Sequence, residues 1–131
     1  MTAQPIINSL DFARLQPLLT GGYVDAAVLR LRAFLDQARK VAPRRVPPDV
    51  VTMNSRIRLR DGRRTWIMSL VFPENADPED DRISVLAPLG AAILGCRVGQ
   101  SVRFRVPGGA ERSCDILSVL YQPEAAGDLH L

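Results

Sequence analysis

Residues that commonly carry catalysis or hold metals are scarce in this chain of 131 residues. It contains a single histidine, His130, and two cysteines, Cys96 and Cys114. A structural zinc site normally needs about four ligands and a disulfide framework needs several paired cysteines, so we expect neither. Both cysteines are instead predicted to be small buried residues. The commonest general base is also missing from the interior of the sequence, so we expect no enzyme activity, catalytic residue, metal or cofactor.

Long apolar runs and aromatic residues are scarce as well. No stretch approaches the roughly 18 apolar residues of a membrane span, and Asp11 and Arg14 interrupt the region where a signal peptide would be apolar. The sequence therefore predicts a cytoplasmic protein that does not contact membranes. Aromatic residues make up only 5% of the chain, too few for the stacking platform that usually binds single strands. We expect no sequence-specific contact with nucleic acid.

Positive charge is concentrated near the N-terminus. Of the net charge of +3, residues 1–48 carry +4 and the remainder carries −1. Such an excess is typical of a segment that meets an acidic protein surface or nucleic acid, although solvation alone also explains a modest excess. Nothing in the sequence fixes the oligomeric state, and a monomer is favoured. We interpret four arginines as candidate partner-binding residues: Arg30, Arg39, Arg44 and Arg45.

Residues 1–42 are predicted to form a helical hairpin attached to one domain of ordinary size. Apolar residues recur at intervals of three and four on both sides of the sequence TGGY at 20–23, which glycine suits as a turn. Asn8 or Ser9 can cap the first helix and Asp25 the second. Each helix would have about 13 to 17 residues, spaced as in a short antiparallel coiled coil. The apolar positions are Phe12, Leu15, Leu19, Val24, Val28, Leu31, Leu35 and Ala38.

A proline-rich linker follows at residues 43–48 and leads to a domain at residues 49–131. The prolines remove backbone donors and favour extended backbone before them. One short helix is predicted to begin at Pro88 and to stop at Gly95. The fold class is therefore α+β, with an antiparallel sheet crossed by one helix. Alternation of apolar and polar residues predicts strands at 51–59, 65–72, 83–86, 101–106 and 111–121.

Five arginines lie close together around the first predicted hairpin of the domain. Arg56, Arg58 and Arg60 alternate along a strand and therefore share one face, and Arg63 and Arg64 follow in the turn. A solvated sheet face explains this patch, and so does a dock for an acidic protein surface or an RNA backbone. Of these two partners, protein is favoured because aromatic residues are few.

The densest group of acidic side chains lies at residues 74–81. A calcium-binding loop that began at Asp77 would need glycine at its sixth position, where Arg82 stands. The calcium interpretation therefore fails. We interpret the segment as a solvated loop that protects an edge of the sheet.

Three stretches of the domain carry a family resemblance: ISVLAPLGAAILG at 83–95, VG at 98–99 and PGG at 107–109. They resemble the C-terminal domain of the bacterial Gre transcript-cleavage factors, which is FKBP-like. Two further stretches resemble the branch called regulator of nucleoside diphosphate kinase: DVVTMNS at 49–55 and YQPEAAGD at 121–128. The short hairpin is similar to that of the same branch.

The resemblance implies a regulator that binds RNA polymerase near its secondary channel. In Gre factors the domain grips the rim of this channel around an Asp-Ser-Pro, and the matching positions here are Leu86, Ala87 and Pro88. We therefore expect Ala87, Pro88 and Leu89 to contact the polymerase. Gre factors carry acidic residues at the tip of a longer coiled coil, whereas residues 18–24 contain none. The resemblance thus implies competition with Gre-type factors without stimulation of transcript cleavage, and an effect on nucleoside diphosphate kinase levels.

Two alternatives remain open at this point. An FKBP-like fold is compatible with peptidyl-prolyl isomerase activity, but fold alone is weak evidence for function. The aromatic residues that would line a proline pocket are few and scattered along the sequence. Direct binding to nucleoside diphosphate kinase is the other alternative, since the name of the branch suggests it.

Overall fold

The computed structural model of the chain describes residues 4–21 and 25–129. Four positions considered above therefore lie outside the described residues: Gly22 and Tyr23 of the predicted turn, Val24 of the apolar seam, and His130. The strands of the described part are β1 (Ile6–Asn8), β2 (Arg39–Val41), β3 (Arg56–Asp61), β4 (Arg64–Val71), β5 (Arg82–Ser84), β6 (Ser101–Arg105) and β7 (Glu111–Tyr121). Its α-helices are α1 (Ser9–Leu15), α2 (Ala26–Gln37), α3 (Pro88–Ile93) and α4 (Pro123–Ala126).

Both predicted helix caps of the N-terminal segment are confirmed. The Asn8 side chain accepts the N–H of Asp11 at 2.7 Å, and Asp25 accepts the N–H of Val28 at 2.9 Å. The helices are shorter than predicted, with 7 residues in α1 and 12 in α2. Pro17 explains the early end of α1, because proline has no N–H with which to continue the helical hydrogen bonds, and the chain continues as a 3-10 turn at Gln16–Leu19.

The two ends of the helical segment are paired with each other, which the sequence did not predict. β1 and β2 form a parallel two-stranded sheet in which Ile6 lies opposite Arg39 and Asn8 opposite Val41. The N–H of Arg39 also donates to the carbonyl of Pro5 at 2.8 Å. These bonds hold the beginning of α1 beside the end of α2.

The main sheet has the order β5-β4-β3-β7-β6. The β3–β4, β3–β7 and β6–β7 pairs are antiparallel, whereas β5 runs parallel to β4. The expectation of an entirely antiparallel sheet is therefore wrong at this edge. The segment between β4 and β5 contains 3-10 turns at Pro73–Asn75 and Pro78–Asp80 and returns the chain for a parallel pairing. The short helix α4 is a second departure, since only one helix was predicted in this domain.

The bounds of the other strands agree with the sequence to different degrees. β7 spans the predicted residues, and β6 ends one residue early. The first strand of the domain was predicted from residue 51, but β3 begins only at Arg56. The preceding residues form a tight loop instead, in which the N–H of Ser55 donates to the carbonyl of Thr52 at 3.1 Å and Asn54 has φ of 66°.

One continuous apolar core links the helical segment to the sheet. Leu15, Leu31 and Leu35 from α1 and α2 are buried in the same cluster as Ile57 and Leu59 from β3. The hairpin is thus packed against the domain. The division at residues 42 and 43 and at residues 48 and 49 stays a prediction; within the predicted linker, a 3-10 turn forms at Pro43–Arg45 and Val46 is buried.

The predicted burial of the cysteines is confirmed for Cys114 and only in part for Cys96. Cys114 is buried and Cys96 is half-buried, and neither forms a disulfide with the other. Burial raises the pKa of the Cys114 thiol to about 11, and the nearby Asp115 adds to this effect. Both thiols therefore behave as small core groups and not as reactive thiolates.

The position of α3 depends on Gly90. A Cβ atom at this residue would lie 2.0 Å from the carbonyl oxygen of Ser84, a separation that no side chain can adopt. Glycine thus permits α3 to lie directly against the backbone at the end of β5. This contact fixes the residues at the start of α3 beside the edge strand.

A cluster of buried polar groups joins the N-terminal segment to the C-terminal end of the chain. Asp11 and Asn8 are only 4% and 3% exposed. The Asn8 amide donates to one carboxylate oxygen of Glu124, and the Thr52 hydroxyl donates to the other at 2.8 Å. The N–H of Met53 donates to Oδ2 of Asp11 at 3.2 Å. This polar junction ties α1 both to α4 and to the loop before β3.

The polar junction holds a carboxyl group that is difficult to ionise. The pKa of Asp11 rises from 3.8 to about 7, chiefly because the group is buried and also because of the negative charge of Glu124. The hydrogen bond from Met53 and the charge of Arg14 act in the opposite direction but are smaller. The folded protein therefore keeps a proton that the unfolded chain releases near its ordinary pKa.

We expect the free energy of unfolding to fall as the pH rises from about 4 to about 7, because the raised pKa stabilises the folded state only while Asp11 is protonated. Between about pH 5 and about pH 8 the loss should be about 1–3 kcal/mol. Asp11→Asn should remove most of this loss, since an amide oxygen still accepts the N–H of Met53. Urea unfolding at the two pH values measures the effect.

Asp36→Asn provides the matched control, because Asp36 is an exposed aspartate on α2. This variant should keep the pH dependence of the natural sequence. The interpretation of the polar junction is contradicted if Asp11→Asn loses stability between the two pH values as steeply as the Asp36 variant does.

Candidate partner-docking site

An apolar groove opens beside the start of α3, at the edge of the sheet formed by β5. Its volume is about 360 Å³. Apolar side chains from β4, β5 and the segment between them face one another across it, and one acidic and one basic residue lie at its margin. The lining consists of Met68, Ala76, Pro78, Asp81, Arg82, Ile83, Ser84 and Ala87.

The wall on the side of the acidic segment is held by backbone hydrogen bonds. The N–H groups of Asp77 and Arg82 each donate to the carbonyl oxygen of the other at 3.0 Å. The Asp77 side chain also accepts the N–H of Glu79 at 3.1 Å. The acidic side chains themselves are exposed, in agreement with the interpretation of a solvated loop beside a sheet edge. Because the loop is pinned to β5, the groove has a wall on both sides.

The three residues predicted to contact the polymerase differ in their exposure. Ala87 lines the groove and is the cap residue before α3, and its N–H donates to the carbonyl of Ser84 at 3.0 Å. Pro88 is half-buried at the first position of the helix. Leu89 is only 8% exposed and belongs to the core. Little of the Leu89 side chain is therefore available to a partner. Leu89 instead anchors α3 in the core.

The four arginines of the N-terminal segment are all exposed. Arg30 lies on α2, Arg39 on β2, and Arg44 and Arg45 in the 3-10 turn that follows β2. Within residues 4–21 and 25–129, none of the four forms an ion pair. Their charges are thus available to attract an acidic surface, and none of them lines the groove.

The predicted arginine face of the sheet is present. Arg56, Arg58 and Arg60 are exposed along β3, while Ile57 and Leu59 between them are completely buried. This face points away from the core and therefore differs from the side on which α3 lies.

Sequence reasoning missed most of the groove. Ala76 and Pro78 belong to a segment that was interpreted only by its charge, and Met68 was assigned to a strand without a further role. The fold brings these residues beside Ala87 because β5 returns parallel to β4. The sequence did contain a signal for this part of the groove. In ENADPED at 74–80, Ala76 and Pro78 interrupt the acidic residues and offer apolar surface.

Comparison with known families identifies the protein family to which this chain belongs. Residues 46–121 match the family described as "Transcription elongation factor, GreA/GreB, C-term". The match covers more than half of the chain and includes β3 to β7, α3 and the whole groove. The chain belongs to this family.

Individual relatives identify a branch within this family. It is 43% identical over 128 residues to the "Regulator of nucleoside diphosphate kinase" of Escherichia coli K12, a match that covers 94% of this chain and 93% of that protein. The chain therefore belongs to the branch represented by this relative, and the resemblance noted in the sequence is confirmed. Transcription elongation factor GreA of Clostridium acetobutylicum is 26% identical over 92 residues, which are 69% of this chain and 58% of that factor.

Solved structures agree with this assignment. The chain is similar to a prokaryotic transcription elongation factor GreA/GreB from Nitrosomonas europaea, with a TM-score of 0.78, 36% identity, and coverage of 92% of this chain and 100% of that one. GreA factor homolog 1 of Thermus thermophilus shares the fold at a TM-score of 0.50 and 17% identity, over 91% of this chain. The Gre-factor fold is thus confirmed, while the FKBP-like and coiled-coil descriptions stay predictions.

The protein is accordingly a Gre-factor-like regulator related to transcription. Its mixed α+β architecture agrees with the predicted fold class. Across residues 4–21 and 25–129, no helix is long and apolar enough to cross a membrane.

Proposed function

We propose that the protein is a transcription regulator that binds RNA polymerase near the secondary channel, with the apolar groove as its principal docking surface. It competes there with Gre-type factors without stimulating transcript cleavage. The observation that carries this proposal is the position of the groove. It lies within residues 46–121, the part matched to the GreA/GreB family, and Ala87 lines it.

The chemistry of the groove suits a protein partner. Met68 and Ile83 are half-buried beside the core and present apolar surface, while Asp81 and Arg82 are exposed at the margin. An apolar centre with a polar rim is typical of protein interfaces. Ala87 and Pro88 form the accessible end of this surface, and Leu89 holds them in place from the core.

The exposed arginines of the N-terminal segment supply long-range attraction. Arg30, Arg39, Arg44 and Arg45 carry no compensating ion pair within the described ranges, and charges of this kind act mainly on the rate of encounter. Their effect extends only about 8 to 10 Å at physiological salt. We assign them a steering role toward an acidic surface of the polymerase and not the main binding energy.

The helical segment does not provide the chemistry of transcript cleavage. The first acidic residue after the sequence LLTGGYV at 18–24 is Asp25, whose carboxylate is engaged as the cap of α2. A magnesium ion needs oxygen ligands, most effectively carboxylates. The protein therefore occupies the docking site of Gre-type factors but supplies no acidic tip.

The name of the Escherichia coli relative connects that protein to nucleoside diphosphate kinase. We propose that this chain also affects the level of that kinase, and that it does so through transcription. The groove contains no feature that selects the kinase as a direct partner.

The first test of this proposal places a charge in the groove. Ala76→Asp and Ala87→Asp should each weaken binding to purified bacterial RNA polymerase at least about tenfold, because an unpaired carboxylate would be desolvated in the complex. Both variants should fold, since Ala76 is exposed and aspartate is a favoured helix cap at residue 87. Biolayer interferometry with immobilised polymerase measures the dissociation constants.

Ala110→Asp provides the matched control. Ala110 is exposed in the turn between β6 and β7 and outside the groove, so the same change should leave the dissociation constant within about twofold. Equal affinity of all three variants and the natural chain would reject the groove as the docking surface.

A second test concerns steering. Replacing Arg30, Arg39, Arg44 and Arg45 together by glutamine should lower the association rate several-fold at low salt, and the difference should disappear at about 0.5 M salt because the charges are then screened. The control carries the same loss of charge elsewhere, at Arg63, Arg64, Arg103 and Arg105. Stopped-flow association kinetics measure both variants; an equal decrease in the two would show a general effect of net charge and would remove the steering role.

A third test concerns cleavage. In backtracked elongation complexes the protein alone should leave the rate of transcript cleavage unchanged, and it should inhibit the cleavage stimulated by a fixed amount of a Gre factor. Gel analysis of the RNA fragments during a titration measures both effects. Stimulation by the protein alone contradicts the absence of an acidic tip. Undiminished factor-dependent cleavage, at concentrations where the protein is bound, contradicts the shared docking site.

A further inference from the structure

A second cavity lies on the face of the sheet that carries the exposed arginines of β3, and of its lining residues the proposed function involves only Arg82, at the margin of the groove. Its volume is about 490 Å³, within the roughly 300 to 1,000 Å³ typical of small-molecule sites. It is open to solvent and lies where β3 begins and β7 ends. The lining consists of Asn54, Arg56, Ser69, Val71, Asn75, Arg82 and Tyr121.

The strand register places two arginines on opposite sides of this cavity. Ser69 on β4 is paired with Arg56 on β3 and with Arg82 on β5. Paired residues in adjacent strands project to the same face, so both guanidinium groups stand on the outer face with the Ser69 hydroxyl between them. Their backbones are two strand spacings, or about 10 Å, apart.

The charged side chains that line the cavity are both basic, while Asp80 and Asp81 lie beside the same two arginines in an adjoining depression. None of its lining residues is acidic, and Arg56 forms no ion pair with the residues that the structure describes. Arg82 contacts Asp80 at 2.8 Å, but both side chains are about half exposed, and such a pair is readily exchanged for another anion. By contrast, Arg60 on the same strand is paired with Asp115 at 3.1 Å. The charge at Arg56 is thus left for a ligand.

The remaining lining groups are neutral and polar. Asn54 and Asn75 offer amide donors, and Ser69 offers a hydroxyl group. The Tyr121 hydroxyl donates to the Asp128 carboxylate at 2.5 Å, and this hydrogen bond raises the pKa of Tyr121 to about 12. Tyr121 therefore adds no negative charge to the cavity at neutral pH.

We propose that this cavity binds a small molecule that carries two linked phosphoryl groups, one at Arg56 and the other at Arg82. The planar guanidinium group pairs with a phosphoryl group through two parallel hydrogen bonds, and the amides and the hydroxyl can donate to the remaining oxygens. The volume leaves space for a further substituent on the diphosphate. The proposal does not depend on polymerase binding, because only Arg82 lines both surfaces and the other residues of the cavity lie outside the groove.

An RNA backbone is the less favoured ligand. RNA would need to follow the arginines along β3, but Arg60 is paired with Asp115, and of the exposed arginines of β3 only Arg56 lines the cavity. The only aromatic residue in its lining, Tyr121, is engaged with Asp128, so no platform of several stacked bases is formed there.

Isothermal titration calorimetry of the full chain with inorganic pyrophosphate tests the proposal. We expect saturable binding with one site per chain. Arg56→Gln and Arg82→Gln should each weaken it at least about tenfold, because each removes one bidentate pair. Arg58→Gln is the matched control, since Arg58 lies on the same face two residues further along β3 but outside this cavity; its affinity should stay within about threefold.

A second pair of variants separates a local contact from net charge. Asp80→Asn releases Arg82 from its ion pair and should tighten the binding of pyrophosphate. Glu79→Gln removes the same charge from the neighbouring exposed residue, which is not paired with Arg82, and should have a smaller effect. Thermal unfolding of every variant confirms that the sheet is retained.

Three results would overturn the proposal. The first is the absence of saturable pyrophosphate binding by the folded natural chain. The second is an equal loss of affinity in the Arg56 and Arg58 variants, which indicates a diffuse basic face. The third is binding of a 12-nucleotide single-stranded RNA that pyrophosphate does not displace and that requires Arg58 and Arg60, which indicates a nucleic-acid track. This experiment contains no polymerase, so its outcome is independent of the docking proposal.

Discussion

The orientation of the N-terminal helices depends on the polar junction around Asp11. Asn8 both caps α1 and donates to Glu124, and Met53 donates to Asp11, so one small group of contacts connects the first helix, the loop before β3 and the last helix. Buried polar groups are costly unless each finds a partner. The contacts are therefore specific to one arrangement, whereas the surrounding leucines would tolerate several. The junction selects the arrangement of the helices that the apolar core then stabilises.

A different constraint positions the two candidate binding surfaces. Gly90 allows α3 to lie against the backbone of Ser84 at the end of β5, and the parallel return of β5 beside β4 places Met68, Ile83 and Ala87 around one groove. On the outer face, β3 and β5 present Arg56 and Arg82 on either side of Ser69 in β4. The edge strand β5 thus contributes to both surfaces, since Ile83 lines the groove and Arg82 borders the groove and the cavity. Because side chains alternate across a strand, two different chemistries can be built from three consecutive residues.

Local patterns made part of this structure predictable. The caps at Asn8 and Asp25, the limits of β7 and the alternating arginines of β3 each follow from neighbouring residues, and all are present. The features that were missed join distant parts of the sequence: β1 pairs with β2, Thr52 meets Glu124, and Ala76 faces Ala87. Asn8 illustrates the difference, since its role as a cap was evident from the next three residues but its bond to Glu124 spans 116 positions. Pro17 indicated the early end of α1, but the apolar residues continue at helical intervals to Leu19, and the predicted helix was therefore too long.

The packing of the helical segment also determines how far it can reach. The 12 residues of α2 correspond to about 18 Å at 1.5 Å per residue, and Val28, Leu31 and Leu35 are buried. The helix therefore uses one face to complete the core of the domain and cannot swing away without exposing it. The C. acetobutylicum GreA relative extends well beyond its aligned region, which is 58% of its length. This chain therefore matches only part of that GreA relative, and the length by which the relative is longer lies outside the aligned region. A short helical segment held by the core and by a buried polar junction is consistent with the proposal that the protein occupies a docking site without reaching beyond it.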